Sequence, residues 1–413
     1  MERQLRTRIE NALWGLFIGD ALAMPVHWYY DRENIRRDFD GGITGYEAPK
    51  HPHPESFMVG MGYRPDVENA RASGRPYDIL HDHVRFYDTS YSSLQIDRAE
   101  REAQHGNSVP SMNERFHYHH GLAKGENTLG AHLVRVLLRS IANAGEYHPD
   151  AFLEAFVHHL ATPGLNSDPY TEIYVRHWFE NYSRGLPLHA CAENQRDVWS
   201  IGSHGGMIRP MVLSLFFPES VYQATGMAFE HQVLTHRSEN VASALSVSVP
   251  LLHNLAAGAE PGPALEAHAR DVHLPVVTGD GLFAAYRDHH GPGNIPDEQM
   301  WNLHTNLRSE AFDLRGMVDR IPEEEAVMGV FATACYPEHG LPLSLYLAAR
   351  HRTEVEASLL ANANAGGDNV HRGMVLGLLV GAAQDEIASE LKAGLHDRDS
   401  IQNDIDAALS TLS

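Results

Sequence analysis

An all-α fold follows from two features of the sequence: most readable segments repeat their apolar residues at helical spacing, and strand-like alternation is scarce enough to leave only small β elements in loops. The first helix covers residues 5–22, inside the stretch "NALWGLFIGDALAMPVHWYYD". Residues 31–115 then mix Gly, Pro, His, Asp and Arg with little sustained periodicity, and read as a loop-rich insertion that forms part of a cleft wall. Thr128 is placed to cap a helix in which Leu129, Leu133, Val136, Leu137 and Ile141 line one face. Further periodic stretches fall at 151–160, 241–255, 343–349, 354–364 and 373–387, while residues 278–299 carry the Gly and Pro punctuation of a surface excursion. Gly373, Gly377 and Gly381 recur every fourth residue, which gives one helix a flat face for a second helix. Without internal repeats or low-complexity tracts, residues 1–413 read as one compact domain.

Composition narrows the function classes. The formal net charge of -22 repels phosphate backbones, so nucleic acid is excluded as a partner. Cys191 and Cys335 form no CxxC, which suggests neither a disulfide framework nor a zinc ribbon and fits a reducing compartment. The longest apolar run, residues 373–383, is too short to cross a bilayer, and the charged N-terminus lacks the pattern of a signal peptide. A cytoplasmic protein with no membrane partner is expected. No G-x-x-x-x-G-K-[ST] exists, so Gly279-Asp280-Gly281 is a turn and not a phosphate loop. The serines of "SIGSHGG" lack the strand–elbow–helix context of a serine hydrolase. Tyr29, Tyr30, Tyr87 and Tyr91 read as core filling ahead of adenine stacking. Histidine is abundant, at 28 residues, with clusters at His51 and His53, His81 and His83, His117, His119 and His120, and His289 and His290; for any one cluster, metal binding is the minority reading.

Four distant segments set small residues beside polar ones at helix ends. They are the first helix with Gly19 and Asp20; "YHHGLAKGENTLGAHL" with Glu126, Asn127 and Thr128; "SIGSHGGMIRPM"; and "NANAGGDNVHRGMVLGLLVGA" with Asp368, Asn369 and His371. The third is a Gly-rich turn entering a helix, where Ser203, His204, Gly205, Gly206 and Met207 could offer backbone N–H groups to an anion.

In this order the segments resemble the ADP-ribosylglycohydrolase family over nearly the whole chain. "GLFIGDALAMP" is similar to the family's G-x-x-x-G-D-A-L-G-x-P helix, and "GGDNVHRGMVLGLLVGAA" to its G-G-D-T-D-T run with the Gly-spaced helix that follows. "SIGSHGGMIRPM" resembles the G-S-x-G-x-x-M-R loop, and "VLTHRSENVASA", with Thr235 and His236, the T-H-x-x-x-x-x-A helix start. The resemblance implies a compact all-α bundle and hydrolysis of an N- or O-glycosidic bond to ribose or ADP-ribose. It also implies that Gly15 and Gly19 admit neighbouring helices, leaving Asp20 more probable as a buried hydrogen-bonding group than as a ligand.

Departures from the family pattern carry equal weight. The Thr-Asp-Asp run is here Gly125-Glu126-Asn127, His27 stands where a carboxylate follows Pro25, and the second acid of the last run is Val370, followed by His371. A magnesium pair needs several carboxylates, so the residual set of His27, Glu126, Asp368 and His371 suits at most one divalent ion, magnesium, manganese or zinc, with the nitrogen donors favouring the last two; the alternative is no metal. The expected roles are Glu126 or Asp368 as base, His371 as a proton donor to the leaving nitrogen, and Asn127, Asn369 and the 203–207 turn as contacts to the ribosylated small molecule or ADP-ribose. The competing expectation is a catalytically silent relative that binds ADP-ribose or a nucleotide, or a structural protein of the crystallin kind.

Overall fold

The computed structural model describes residues 2–56, 62–86, 116–193, 202–275, 309–327 and 330–412. The excursion at 278–299 with His289 and His290, together with Tyr87, Tyr91 and Ser200, lies outside the described residues.

Among the described residues, the helices of eight residues or more are α1 (Arg3–Ala23), α2 (Leu129–Ala144), α3 (Pro149–Ala161), α4 (Ile173–Ser183), α5 (Gly205–Ser214), α6 (Val221–Gln232), α7 (Glu239–Ala256), α8 (Pro261–Ala269), α9 (Pro337–Arg350), α10 (Val355–Ala365), α11 (Asn369–Ala382) and α12 (Arg398–Leu409). One small antiparallel ribbon pairs β1 (His273–Pro275) with β2 (Ser309–Ala311), Leu274 opposite Glu310. The all-α expectation holds: among the described residues, β structure is that ribbon and one isolated bridge between Val327 and Phe331.

At the centre lie α1 and α11. Every residue of α11 is buried, as is nearly all of α1 from Ile9 onward, so neither helix has the polar face of a surface element. Their contact runs through glycine. A Cβ on Gly15 would meet the Gly377 carbonyl, one on Gly19 the Gly373 carbonyl and one on Gly381 the Asn11 carbonyl. The order of those pairs makes the helices antiparallel, which brings the C-terminal end of α1 to the N-terminal end of α11. Around this pair pack α9 and α10 on one side and α5 and α7 on another.

The helix α12 returns to α2 and is tied there by charge. Arg135, 4% exposed, donates from Nε to Asp404 at 2.6 Å and from Nη1 to Asp397 at 3.0 Å, while Arg139 Nε reaches the other Asp404 oxygen at 2.7 Å. Asp404 thus holds both arginines of α2 through its two oxygens.

Three expectations about helix ends need correction. Thr128 occupies the N-cap position of α2, but its hydroxyl does not cap; it donates to Asp20. The segment expected at 343–349 begins earlier, at Pro337, whose fixed φ suits a first helical position. The last Gly-spaced helix runs Asn369–Ala382, starting and ending before the 373–387 expectation, because the left-handed turn at Gly366 and Gly367 releases the chain into helix at once.

Candidate active site

The site begins where α1 stops. After Ala23 the chain makes one 3-10 turn over Met24–Val26, and His27 follows in extended conformation. The next residues pair with the loop ahead of α11: Trp28 N–H donates to Gly367 O at 2.8 Å, and Gly367 N–H to Tyr29 O at 2.7 Å. Gly366 and Gly367 have φ of 68° and 66°, and a Cβ on either would strike the carbonyl of Tyr29 or Thr333, so this approach requires glycine. Two histidines brace the segment. His53 Nε2 donates to His27 O at 2.9 Å, and His117 Nε2 to Pro25 O at 3.0 Å.

These contacts place His27 Nε2 3.1 Å from Asp368 Oδ1, across 341 residues of sequence. His371 lies one helical turn beyond Asp368, with Nδ1 2.6 Å from the same oxygen and Nε2 3.2 Å from Glu172 Oε1. In the other direction His27 Nδ1 faces His119 Nε2 at 2.7 Å, and His119 Nδ1 faces Asp168 Oδ1 at 2.9 Å. Asp168, His119, His27, Asp368, His371 and Glu172 therefore form one chain of alternating acid and imidazole groups. Both ends come from a single short segment, "DPYTE", with Asp168 and Glu172 four residues apart. Tyr170, between them, sets its ring edge against His27 and His119, each at 5.6 Å, where those two rings stack at 4.9 Å.

Hydrogen-bond bookkeeping fixes much of the charge. Both His371 nitrogens face carboxylates, so both carry protons; burial alone would lower its pKa, but Asp368 and Glu172 outweigh burial and hold it well above the ordinary imidazole value. Burial would raise the Asp368 pKa, yet His371, His204 and His27 hold it well below the carboxylate range. For His27, burial wins over Asp368 and takes the pKa down to about 3, so that ring is neutral at pH 7. Asp168 accepts from His119, from Tyr170 N–H at 3.1 Å and, at the N-terminus of α2, from Leu129 N–H at 2.8 Å.

The sequence-predicted residues separate into two groups. His27, Asp368, His371 and His204 come together. Glu126 stands outside that set: its carboxylate accepts from Ala123 N–H at 2.7 Å and Ser167 Oγ at 2.9 Å. Asn127 donates from Nδ2 to Asp20 Oδ2 and to Phe17 O, both at 2.8 Å, and Thr128 donates to Asp20 from N–H and hydroxyl. Asp20 is accordingly the buried joint between α1 and α2. Asn369 Nδ2 bonds the carbonyls of Val26 and Ala363, holding the same backbone junction. In the Gly-rich turn, Gly206 N–H donates to Ser203 O at 3.0 Å and Met207 N–H to His204 O at 2.8 Å, so those two groups are already engaged.

His119, Asp168 and Glu172 were not singled out as site residues by sequence reasoning. His119 was visible only as one of a cluster. The acids of "SDPYTE" had a faint signal, an Asp-Pro turn entering a helix, which ordinary loop chemistry explains equally well.

Among the described residues, His27, Asp368 and His371 form a set of three whose ligand atoms all lie within 4.8 Å of one another. Its two imidazoles and one carboxylate fit a single zinc or manganese ion and do not fit a pair of hard cations. A second observation agrees. Asp368 Oδ2 and His204 Nδ1, both buried and 3.3 Å apart, have no hydrogen-bond partner among the described residues, and His204 Nε2 already donates to Tyr336 O at 2.9 Å, leaving Nδ1 as a donor atom for a cation.

One nearby acid is set apart by burial alone. Glu338, in the first turn of α9, has its pKa pushed up to about 7, and its Oε2 has no partner among the described residues. A folded-state pKa above the unfolded value means that the folded chain binds the proton more tightly, so stability falls as pH rises from about 4.5 to 7. Glu338→Gln removes that cost. It is expected to exceed the parent in unfolding free energy by up to about 3 kcal/mol at pH 8 and by much less at pH 5, as read by urea titration at both pH values. An equal difference at the two pH values would show that the acid does not titrate on folding.

A family model described as ADP-ribosylglycohydrolase matches residues 1–413. Among solved structures, one described as an "ADP-ribosylglycohydrolase-related protein complex" shares 16% identity, with 100% of each chain covered and a TM-score of 0.54, a likeness that speaks for the fold. No curated protein matches the chain.

Proposed function

The chain belongs to the ADP-ribosylglycohydrolase family, and on that premise we propose that it hydrolyses an N- or O-glycosidic bond to ribose or ADP-ribose in a ribosylated small molecule or protein. Cleavage at the anomeric carbon passes through an oxocarbenium-like centre, which needs a negative group near the cation and a proton for the departing atom. What supports the reading most is the convergence of His27, Asp368 and His371, from opposite ends of the sequence, at the junction of α1 and α11. Asp368 supplies the fixed negative charge that orients both imidazoles. His371, doubly protonated, has a proton to give.

A divalent ion held by His27, Asp368 and His371 would take the place of the His371 proton that faces Asp368, with His204 Nδ1 as a fourth donor. Such an ion would orient ribose hydroxyls and offset the charge of a bound phosphate.

The test is release of ribose or ADP-ribose from a panel of N- and O-ribosylated nucleosides and peptides, with elemental analysis of the same preparation. Turnover of at least one member, with not more than one ion per chain, is the expected result. No release from any member, with intact ADP-ribose binding, would leave a binding protein in place of an enzyme.

A further inference from the structure

Within the acid–imidazole chain, access to solvent is unequal. His27, Asp168 and Asp368 are fully buried, His119 and His204 are 1% exposed in their side chains, and His371 is 4% exposed. The Glu172 side chain is 14% exposed. Glu126, the other acid considered from the sequence, lies outside the histidine set. An approaching sugar therefore meets Glu172 first among the carboxylates of the cluster.

The carboxylate of Glu172 is also held in place. It stands at the N-cap of α4, its Oε1 is paired with His371, and its Oε2 lies over Gly205 at the start of α5. A Cβ at Gly205 would sit 2.7 Å from Oε2, so a larger residue there would push the Glu172 carboxylate from the space that the glycine leaves it. This gives the Gly-rich turn a different purpose from the anion cradle expected of it. A phosphate at Gly205 would face a carboxylate.

We infer that Glu172, and not Glu126 or Asp368, is the carboxylate that touches the reacting sugar and receives the proton of the attacking water. The inference rests on the glycosidic reading above. In the step, the water oxygen bonds to the anomeric carbon while its proton passes to Glu172 Oε2. The glycosidic bond breaks with its electron pair going to the departing nitrogen or oxygen, which takes the proton of His371 Nε2, and the proton gained by Glu172 then restores His371. Asp368 then acts as a positioning residue, holding His371 against Oε1.

Three variants test this in the full-length protein, using the ribosylated compound that the parent turns over best. Glu172→Gln is expected to lose at least about 100-fold in kcat, the range of a general base, with KM and ADP-ribose binding by calorimetry near the parent's, while its melting temperature falls because His371 loses one of two counter-charges. Glu172→Asp keeps the charge opposite His371 but withdraws it by one methylene, and is expected to lose at least about 10-fold in kcat; a purely structural ion pair would leave it near the parent. Glu172→Ala in sodium azide is expected to form a glycosyl azide that the parent does not form. Glu172→Gln or Glu172→Asp within threefold of the parent's kcat would overturn the inference while leaving the glycosidic reading intact. A parent that releases nothing from any compound removes that reading, and the inference with it.

Discussion

Asp368→Asn is expected to lower turnover of a ribosylated substrate by about 10³-fold and to lower unfolding free energy by about 3 kcal/mol. The reason is the number of groups that depend on one buried charge. Asp368 Oδ1 faces both His27 and His371, and Oδ2 faces His204. An asparagine keeps the shape but leaves the His371 imidazolium with Glu172 as its one remaining counter-charge. The uncompensated cation, now buried without half of its partners, is what costs stability. Product release by chromatography and urea unfolding of the same preparation read the two effects together. Parent-like values for both would mean that the histidines are held by packing alone.

The second large effect is expected at the helix seam. Gly377→Ala places a Cβ against the Gly15 carbonyl, where the obstacle is backbone and cannot rotate away. An alanine in a helix interior gains roughly 1 kcal/mol of propensity, but overpacking at a rigid contact costs up to about 3 kcal/mol or more, so a net loss of about 2 kcal/mol or greater is expected. The consequence reaches the site. Because α1 leads into His27 and α11 carries His371, with Asp368 at its N-cap, forcing the helices apart lengthens the 3.1 Å contact between His27 and Asp368. Turnover should therefore fall together with melting temperature. In contrast, an alanine at Gly226, inside α6 and with nothing within 4 Å of its Cβ, is expected to leave turnover unchanged and to raise stability by roughly 1 kcal/mol.

Much of this frame was legible before the structure. The four-residue glycine spacing of 373, 377 and 381 predicted a close helix partner, and Gly15 and Gly19 proved to supply it. His27 stood out because it replaces an acid that the resemblance led one to expect, and His371 because it follows Val370, where the second acid of the last run is lost; both reach Asp368. Glu126 failed to join them because its carboxylate is drawn to Ser167 and to Ala123 N–H at its own loop. Asp168 and Glu172 were illegible for a general reason. Each is placed by contacts 39 or more residues away, to Leu129, His119 and His371, and no local periodicity records such a contact. The histidine clusters were misleading in a similar way: His53 and His117 serve backbone carbonyls, and only their neighbour His119 joins the acid–imidazole chain.

The most direct test of the account is a crystal structure of the protein with ADP-ribose. The account places the terminal ribose with its anomeric carbon against Glu172 Oε2, within reach of His371, and any single ion among His27, Asp368 and His371. Ordered ligand beside Glu126, with Glu172 and His371 still paired and no sugar near them, would contradict it.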